Sequence, residues 1–265
     1  MTGRARAQTI LNLLKKAYPN AKIVLTYRNP WELLVAVILS AQCTDVMVNK
    51  VTEKLFAKYK TLEDYGVADL TEFEQDIKST GFYHNKAKNI LAAAKLIKEK
   101  FGGSVPKTMA ELITVPGVAR KTANVVLGNA YGIVEGIAVD THVLRLSQRL
   151  GLVDSDVIGG KKILYFQKSN ATRSPKSNPT LPPLKVRGGE EGLRGGEGGV
   201  SHQFVDYKKD ADPVKIEQQL MAVVPKNDWF KLTYLLIDHG RAVCRAQNPN
   251  CSGCIVHNLC PASRV

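Results

Sequence analysis

The segment Leu112-Ile113-Thr114-Val115-Pro116-Gly117-Val118-Ala119-Arg120-Lys121-Thr122-Ala123 reads as the end of one helix, a tight Pro-Gly turn and a second helix starting at about Arg120-Lys121. Together these predict a helix-hairpin-helix over about residues 108–128. Such a turn presents several backbone N–H groups beside a helix N-terminus, a ready site for a phosphate. Contacts of that kind position a duplex without reading its sequence. A Pro-Gly turn alone is weak evidence, but Pro116-Gly117 followed by Arg120-Lys121-Thr122-Ala123 is far more specific.

On both sides of the hairpin the chain is patterned for helix. Residues 4–17 place Ile10, Leu11, Leu14 and Ala17 on one stripe, closed by Pro19. Trp31 to Leu39 is apolar on nearly every side, as suits a helix buried in mid-domain. Thr44-Asp45 is placed to cap a helix running through Val48, Val51, Leu55 and Phe56. Further helices are predicted over Asn85 to Lys100, Lys121 to Tyr131, from Pro213 through Ile216, Leu220 and Val223, and over Trp229 to His239. No stretch alternates at period two, so the expected class is all-α. With 265 residues, one large or two modest domains can each hold a core. The longest purely apolar run, Leu33 to Leu39, is far shorter than the roughly 20 residues of a membrane span. The basic start, Met1 to Arg6, leads into no long apolar segment, so a cytoplasmic protein without membrane contact is expected.

A net charge of +13 points toward a polyanionic partner. Part of it lies in residues 157–209, which hold ten Lys/Arg against four Asp/Glu, nine Gly and four Pro. A stretch so poor in large apolar side chains does not repay the entropy of ordering, and a flexible surface insertion is expected there; a basic arm touching DNA is the lesser alternative.

Lys121 falls in the first turn of the second hairpin helix. A lysine is ordinarily a solvated surface charge. At a helix N-terminus with partial burial its amine is easier to deprotonate, and a neutral amine can attack a sugar carbon and form a Schiff base. In Ile137-Ala138-Val139-Asp140-Thr141-His142-Val143, Asp140 precedes a helix from Val143 to Leu150 and serves as an N-cap. The same carboxylate, facing Lys121, can stabilise positive charge on a sugar or relay a proton. His142 has no evident partner and reads as structural. Cys244-x6-Cys251-x2-Cys254-x5-Cys260 suits a structural zinc or a [4Fe–4S] cluster. Only Cys251/Cys254 forms the close pair that zinc sites use twice, which favours iron–sulfur. Cys43 reads as a buried free thiol.

These residues resemble the endonuclease III family. The resemblance is carried by Leu39-Ser40-Ala41-Gln42-Cys43-Thr44-Asp45, Gly81-Phe82-Tyr83-His84-Asn85-Lys86-Ala87, the hairpin through Lys121, Val139-Asp140-Thr141-His142, His239-Gly240-Arg241 and the four cysteines. It runs from about residue 5 to 260, interrupted only by the insertion. It implies a two-domain helical protein: a six-helix barrel domain over residues 23–138, and a [4Fe–4S] domain made of residues 1–22 with 139–265. It implies double-stranded DNA carrying damaged bases or abasic sites as the partner of a monomeric enzyme. Lys121 and Asp140 take the catalytic positions, and Cys244, Cys251, Cys254 and Cys260 the cluster positions. The residues expected against DNA are Gln42 and Phe82, which fill the hole left by an extruded base, together with Val115, Gly117, Ala119, Arg120 and Arg245. The activity implied is removal of oxidised pyrimidines followed by β-elimination 3′ to the abasic site.

The chain departs from the family pattern in three places. Ala119 stands at a hairpin position usually held by glycine, and costs about 1 kcal/mol if that position needs a positive φ. The segment Arg245 to Asn250 carries a single basic residue. The insertion avoids every motif, so activity is expected to survive it. Three other readings stand beside the main one. An adenine-mismatch glycosylase is disfavoured because such relatives generally lack the lysine and carry an extra C-terminal domain. A thymine-mismatch glycosylase of the same fold is harder to separate. A non-catalytic iron–sulfur redox sensor is opposed by the presence of both Lys121 and Asp140.

Overall fold

The computed structural model describes residues 3–167 and 203–265. The chain is helical apart from one small sheet. Two apolar cores organise it. The first is built from α2 (Pro30–Leu39), α3 (Asp45–Lys58), α4 (Leu62–Val67), α5 (Leu70–Ile77), α6 (Tyr83–Phe101), α7 (Met109–Leu112) and α8 (Arg120–Tyr131). At its centre lies α2, in which every residue from Trp31 to Leu39 is buried, Glu32 included. Glu32 is tolerated because Arg28 grips it through Nε and Nη2 and Arg28 N–H donates to it. The second core joins α1 (Gly3–Ala17), α9 (Thr141–Arg149), α10 (Pro213–Val223) and α11 (Trp229–Ala242). Ile10, Leu11 and Leu14 of α1 are buried in it, as the predicted stripe requires, while Ala17 at its end is exposed.

Helix starts follow side-chain chemistry. Thr44 Oγ1 accepts from Met47 N–H as predicted, and Asn29, Asp69, Thr108 and Asp212 cap α2, α5, α7 and α10 in the same way. The hairpin helix α8 is different. Its N-cap is Ala119, which offers no side-chain acceptor, so the N–H groups of its first turn are left without a cap. Ala119 has φ −92°, ψ 169°, ordinary extended backbone, and the strain expected of alanine there does not arise. The left-handed residue of the turn is Gly117 at φ +79°, where an added Cβ would also meet Asn89 Cβ at 3.0 Å. Gly117→Ala is therefore expected to lower stability by about 1–2 kcal/mol, a shift in Tm of a few degrees in a thermal melt.

The all-α class holds, with one small sheet beside the helices. Strands β1 (Ile163–Gln167) and β2 (Gln203–Lys208) pair antiparallel. They lie inside the segment read as a flexible insertion, whose described ends are thus ordered. Phe166, Asp206 and Tyr207 are buried, and Gln148 of α9 exchanges two hydrogen bonds with the backbone of Lys208. Two short strands of mixed polarity give too weak an alternation to stand out beside long helices. The remainder of the expected flexible segment, 168–202, lies outside the described residues. No helix among the described residues is long and apolar enough to cross a membrane.

Candidate active site

A cleft of about 680 Å³ opens between the two cores, lined among others by Gln42, Lys121, Asp140, His142, Tyr234 and Arg241. Its walls are held in register by two polar ties. Arg241 Nη2 of α11 donates to Asp45 Oδ2 of α3 at 2.5 Å. Deeper in, the buried carboxylate of Glu217 on α10 accepts from Arg120 Nε (2.6 Å), Asn124 Nδ2 (2.9 Å) and Ile137 N–H (3.2 Å). Glu217 thereby fixes α8, which carries Lys121, against the extended segment that delivers Asp140. Gly136 is the residue that lets it approach, since a Cβ there would fall 1.9 Å from Glu217 Oε1.

Lys121 is half-buried and makes no hydrogen bond or ion pair among the described residues, so its amine is free to meet a ligand in the cleft. Asp140 is the N-cap of α9, its Oδ1 accepting from His142 N–H (2.9 Å) and Val143 N–H (2.8 Å). Its Oδ2 lies 2.9 Å from His142 Nδ1, so the histidine read as structural is the carboxylate's partner. Burial alone would raise the Asp140 pKa. The His142 and Val143 hydrogen bonds and the electrostatic influence of the His142 and Lys121 side chains outweigh it and hold the carboxyl below its usual range. Because the folded-state pKa is depressed, this carboxylate's stabilisation is fully present above about pH 4 and lost as pH falls through the folded value. Asp140→Ala should cost about 1–2 kcal/mol in a neutral-pH melt and weaken the acid limb of the stability profile, whereas Asp140→Asn should keep most of the cap.

The other predicted DNA-facing residues do not line this cleft. Phe82 is 64 % exposed, and Gly117 and Ala119 are exposed on the hairpin. In two of them the side chain is engaged within the protein. Val115 is turned inward, its side chain buried in the first core and its N–H donated to Leu112 O. The Arg120 guanidinium is occupied by Glu217, which positions α8. Arg245 is exposed beside Cys244.

Cys244, Cys251, Cys254 and Cys260 line one cavity and form no disulfide. Among the described residues no group of three or more His, Cys, Asp or Glu side chains is arranged to hold a single metal ion. A four-iron cluster takes each of four thiolates at a separate iron. The donor chemistry also fits. Burial, then the neighbouring cysteines, pushes Cys260 up to about 12 and raises Cys254 as well, so four thiolates at this spot call for a cationic group among them. Arg149 Nη1 donates to Cys244 Sγ at 3.4 Å, and His239, its pKa lowered to about 4 by burial, sits with Nε2 3.5 Å from Cys254 Sγ and Nδ1 3.0 Å from Tyr18 Oη.

Sequence reasoning missed His142, Glu217, Arg149 and Lys86 as supports. One signal was available for Glu217: a carboxylate next to the Ile216–Leu220–Val223 stripe of an otherwise apolar helix face.

Residues 35–165 match the family described as HhH-GPD superfamily base excision DNA repair protein. The chain is thus a DNA glycosylase of the base-excision repair superfamily, and Lys121 of the hairpin helix and the capped Asp140 line the same cleft. Endonuclease III of Synechocystis sp. is 42% identical over 262 residues, covering 99% of this chain and 94% of that protein, and endonuclease III of Bacillus subtilis is 40% identical over 250 residues, covering 94% and 89%. The solved structure of a trapped endonuclease III–DNA covalent intermediate is 36% identical with a TM-score of 0.76, covering 100% of this chain and 98% of that one. A thermostable thymine-DNA glycosylase, 18% identical with a TM-score of 0.70 and covering 98% and 97%, shares the fold. The chain belongs to the endonuclease III family.

Proposed function

We propose that this enzyme removes oxidised pyrimidines from double-stranded DNA and then cleaves the strand 3′ to the abasic site through a Schiff base on Lys121. The observation that carries the reading is the meeting of Lys121, Asp140 and Gln42 in one cleft. It is supported by the covalent DNA complex of the 36 % identical relative.

The chemistry follows from that placement. A base within the duplex is out of reach, so it must be extruded, at a cost of a few kcal/mol. Gln42 and Phe82 fill the gap, and the exposed N–H groups of the hairpin and the first turn of α8 hold a phosphate. The Lys121 amine attacks C1′ as the glycosidic bond breaks, and the base leaves with the bonding electron pair and takes up a proton. Asp140 stays ionised and stabilises the positive charge that builds on the sugar. Ring opening gives an iminium between Nζ and C1′. Loss of a C2′ proton then drives the C3′–O bond to break, with phosphate leaving. Water hydrolyses the remaining imine and frees Lys121.

Cys244, Cys251, Cys254 and Cys260 hold a [4Fe–4S] cluster in this reading. When bound, the cluster fixes the loop that carries Arg245. The domains are taken as residues 23–138 and residues 1–22 with 139–265, acting as a monomer. The test is a panel of duplexes carrying thymine glycol, an abasic site, uracil or a mismatch, each scored for strand cleavage and for borohydride trapping. Cleavage and trapping on thymine glycol and abasic duplexes are expected. Cleavage confined to the mismatch would replace the substrate assignment, and binding without any adduct would remove the lyase assignment.

A further inference from the structure

Gln42 and Phe82 are the two non-glycine residues with positive φ among the described residues, at +53° and +49°. Left-handed backbone costs a residue with a side chain about 1–2 kcal/mol, and such strain persists only where the surroundings over-determine it. Both residues are exposed, so their own side-chain packing does not supply the constraint.

Between their two loops lies a buried cation. Lys86, in the first turn of α6, is 5 % exposed. Its Nζ donates to Leu39 O and to Thr80 O, both at 2.8 Å. Leu39 is the last residue of α2, and its carbonyl belongs to the unsatisfied set at the negative end of that helix. Gln42 follows three residues later. Thr80 closes the 3-10 turn Lys78–Thr80, and Phe82 follows two residues later. Lys86 also donates its backbone N–H to Phe82 O at 3.2 Å. Leu39 O and Thr80 O are the hydrogen-bond acceptors of its ammonium among the described residues, and no carboxylate pairs with it. Burial lowers its pKa, with Cys43 the opposing influence. A buried ammonium with no counter-ion is a poor way to gain stability, because an apolar side chain of similar length is often neutral or better. What the ammonium supplies and a methionine does not is a fixed distance between two carbonyls on separate loops.

We propose that Lys86 is a positioning residue that locks the Gln42 and Phe82 loops in a single register, so that both side chains enter an opened duplex together. The proposal rests on the gap-filling roles given to those two side chains above. It makes Lys86 matter on duplex DNA and not on single strands, where no stacked partner has to be replaced.

The experiment compares rates of borohydride trapping on an abasic duplex and on the same abasic strand alone, for the full-length holoenzyme. Lys86→Met should lower the duplex rate by about 10- to 100-fold, the scale of an ångström-sized misplacement, with the single-strand rate unchanged. In a Gln42→Ala/Phe82→Ala background the same change should have no further effect, because Lys86 acts through those residues. An equal loss on both substrates, a full loss in the double-alanine background, or no loss at all would overturn the proposal. Lys86→Gln, which keeps a donor for one carbonyl, is held to the same criteria if Lys86→Met does not melt cooperatively. If Gln42→Ala/Phe82→Ala leaves the duplex-to-single-strand ratio at the parent value, it is the gap-filling reading that fails. If that pair shifts the ratio and Lys86→Met does not, Lys86 alone is wrongly assigned.

Discussion

Lys121→Ala should abolish borohydride trapping on abasic duplex DNA and slow strand cleavage by about 10³-fold or more, the scale on which removal of a covalent nucleophile acts. Its fold should be intact. The Lys121 side chain makes no hydrogen bond or ion pair among the described residues, and alanine is a good helix former in the first turn of α8. The melt should therefore move by no more than about 0.5 kcal/mol. Duplex affinity should also hold, because the hairpin contacts are backbone N–H groups that the substitution leaves in place. Loss of chemistry with retention of fold and binding separates a nucleophile from a support. Lys22 is the informative control, since it is a second amine lining the same cleft. An adduct that survives in Lys121→Ala and disappears in Lys22→Ala would transfer the nucleophile to the other wall. An adduct lost in neither would take the Schiff base away from this cleft altogether.

The parts of this site that are legible in the sequence are those whose chemistry is local. The Pro116-Gly117 turn, the cap at Thr44 and the spacing of the four cysteines are each set within seventeen residues or fewer. Helix periodicity finds the buried face of α1, and uniform apolarity the fully buried α2, for the same reason. The supports are invisible because each is a polar contact between elements distant along the chain. Glu217 meets Arg120 and Ile137 only when α10 packs against α8, and Lys86 meets Leu39 O only when α6 packs against α2. A lone charged residue in an amphipathic helix looks the same whether it faces water or a carbonyl. Ala119 shows the opposite error. A family habit of glycine suggested a strained position, and the backbone there is extended.

The insertion is where sequence and structure part most, and it carries the second large effect. Activity was expected to be indifferent to the whole of residues 157–209, yet the described ends of that segment are wired into the cysteine loop. Asp206 of β2 accepts from Arg149 Nε and Nη2, both at 2.6 Å, with both side chains buried. The same guanidinium donates to Arg245 O and Ala246 O at 2.7 Å and reaches Cys244 Sγ at 3.4 Å. Arg264 also reaches Asp206, and Tyr207 places its ring 5.3 Å from the Arg149 guanidinium. Removing one member of a buried pair leaves the other charge without its partner, at a cost of about 3–5 kcal/mol. Excision of residues 168–202 with a short turn joining β1 to β2 should therefore leave the melt of the holoenzyme unchanged. Deletion of 157–209 should lower Tm by about 10 °C at the usual conversion for a chain of this size. Asp206→Ala isolates the cause, because it keeps the hairpin and the buried Ile158 that the large deletion also removes. It should reproduce most of the loss, and it should hasten bleaching of the visible absorption of the proposed cluster under a chelator, since Arg149 would no longer be held against the Cys244–Ala246 segment. If Asp206→Ala melts with the parent, the pair contributes no net stability and the hairpin is a passenger on α9. If it melts early while the cluster persists at the parent rate, the buried pair supports the fold without reaching the cysteines.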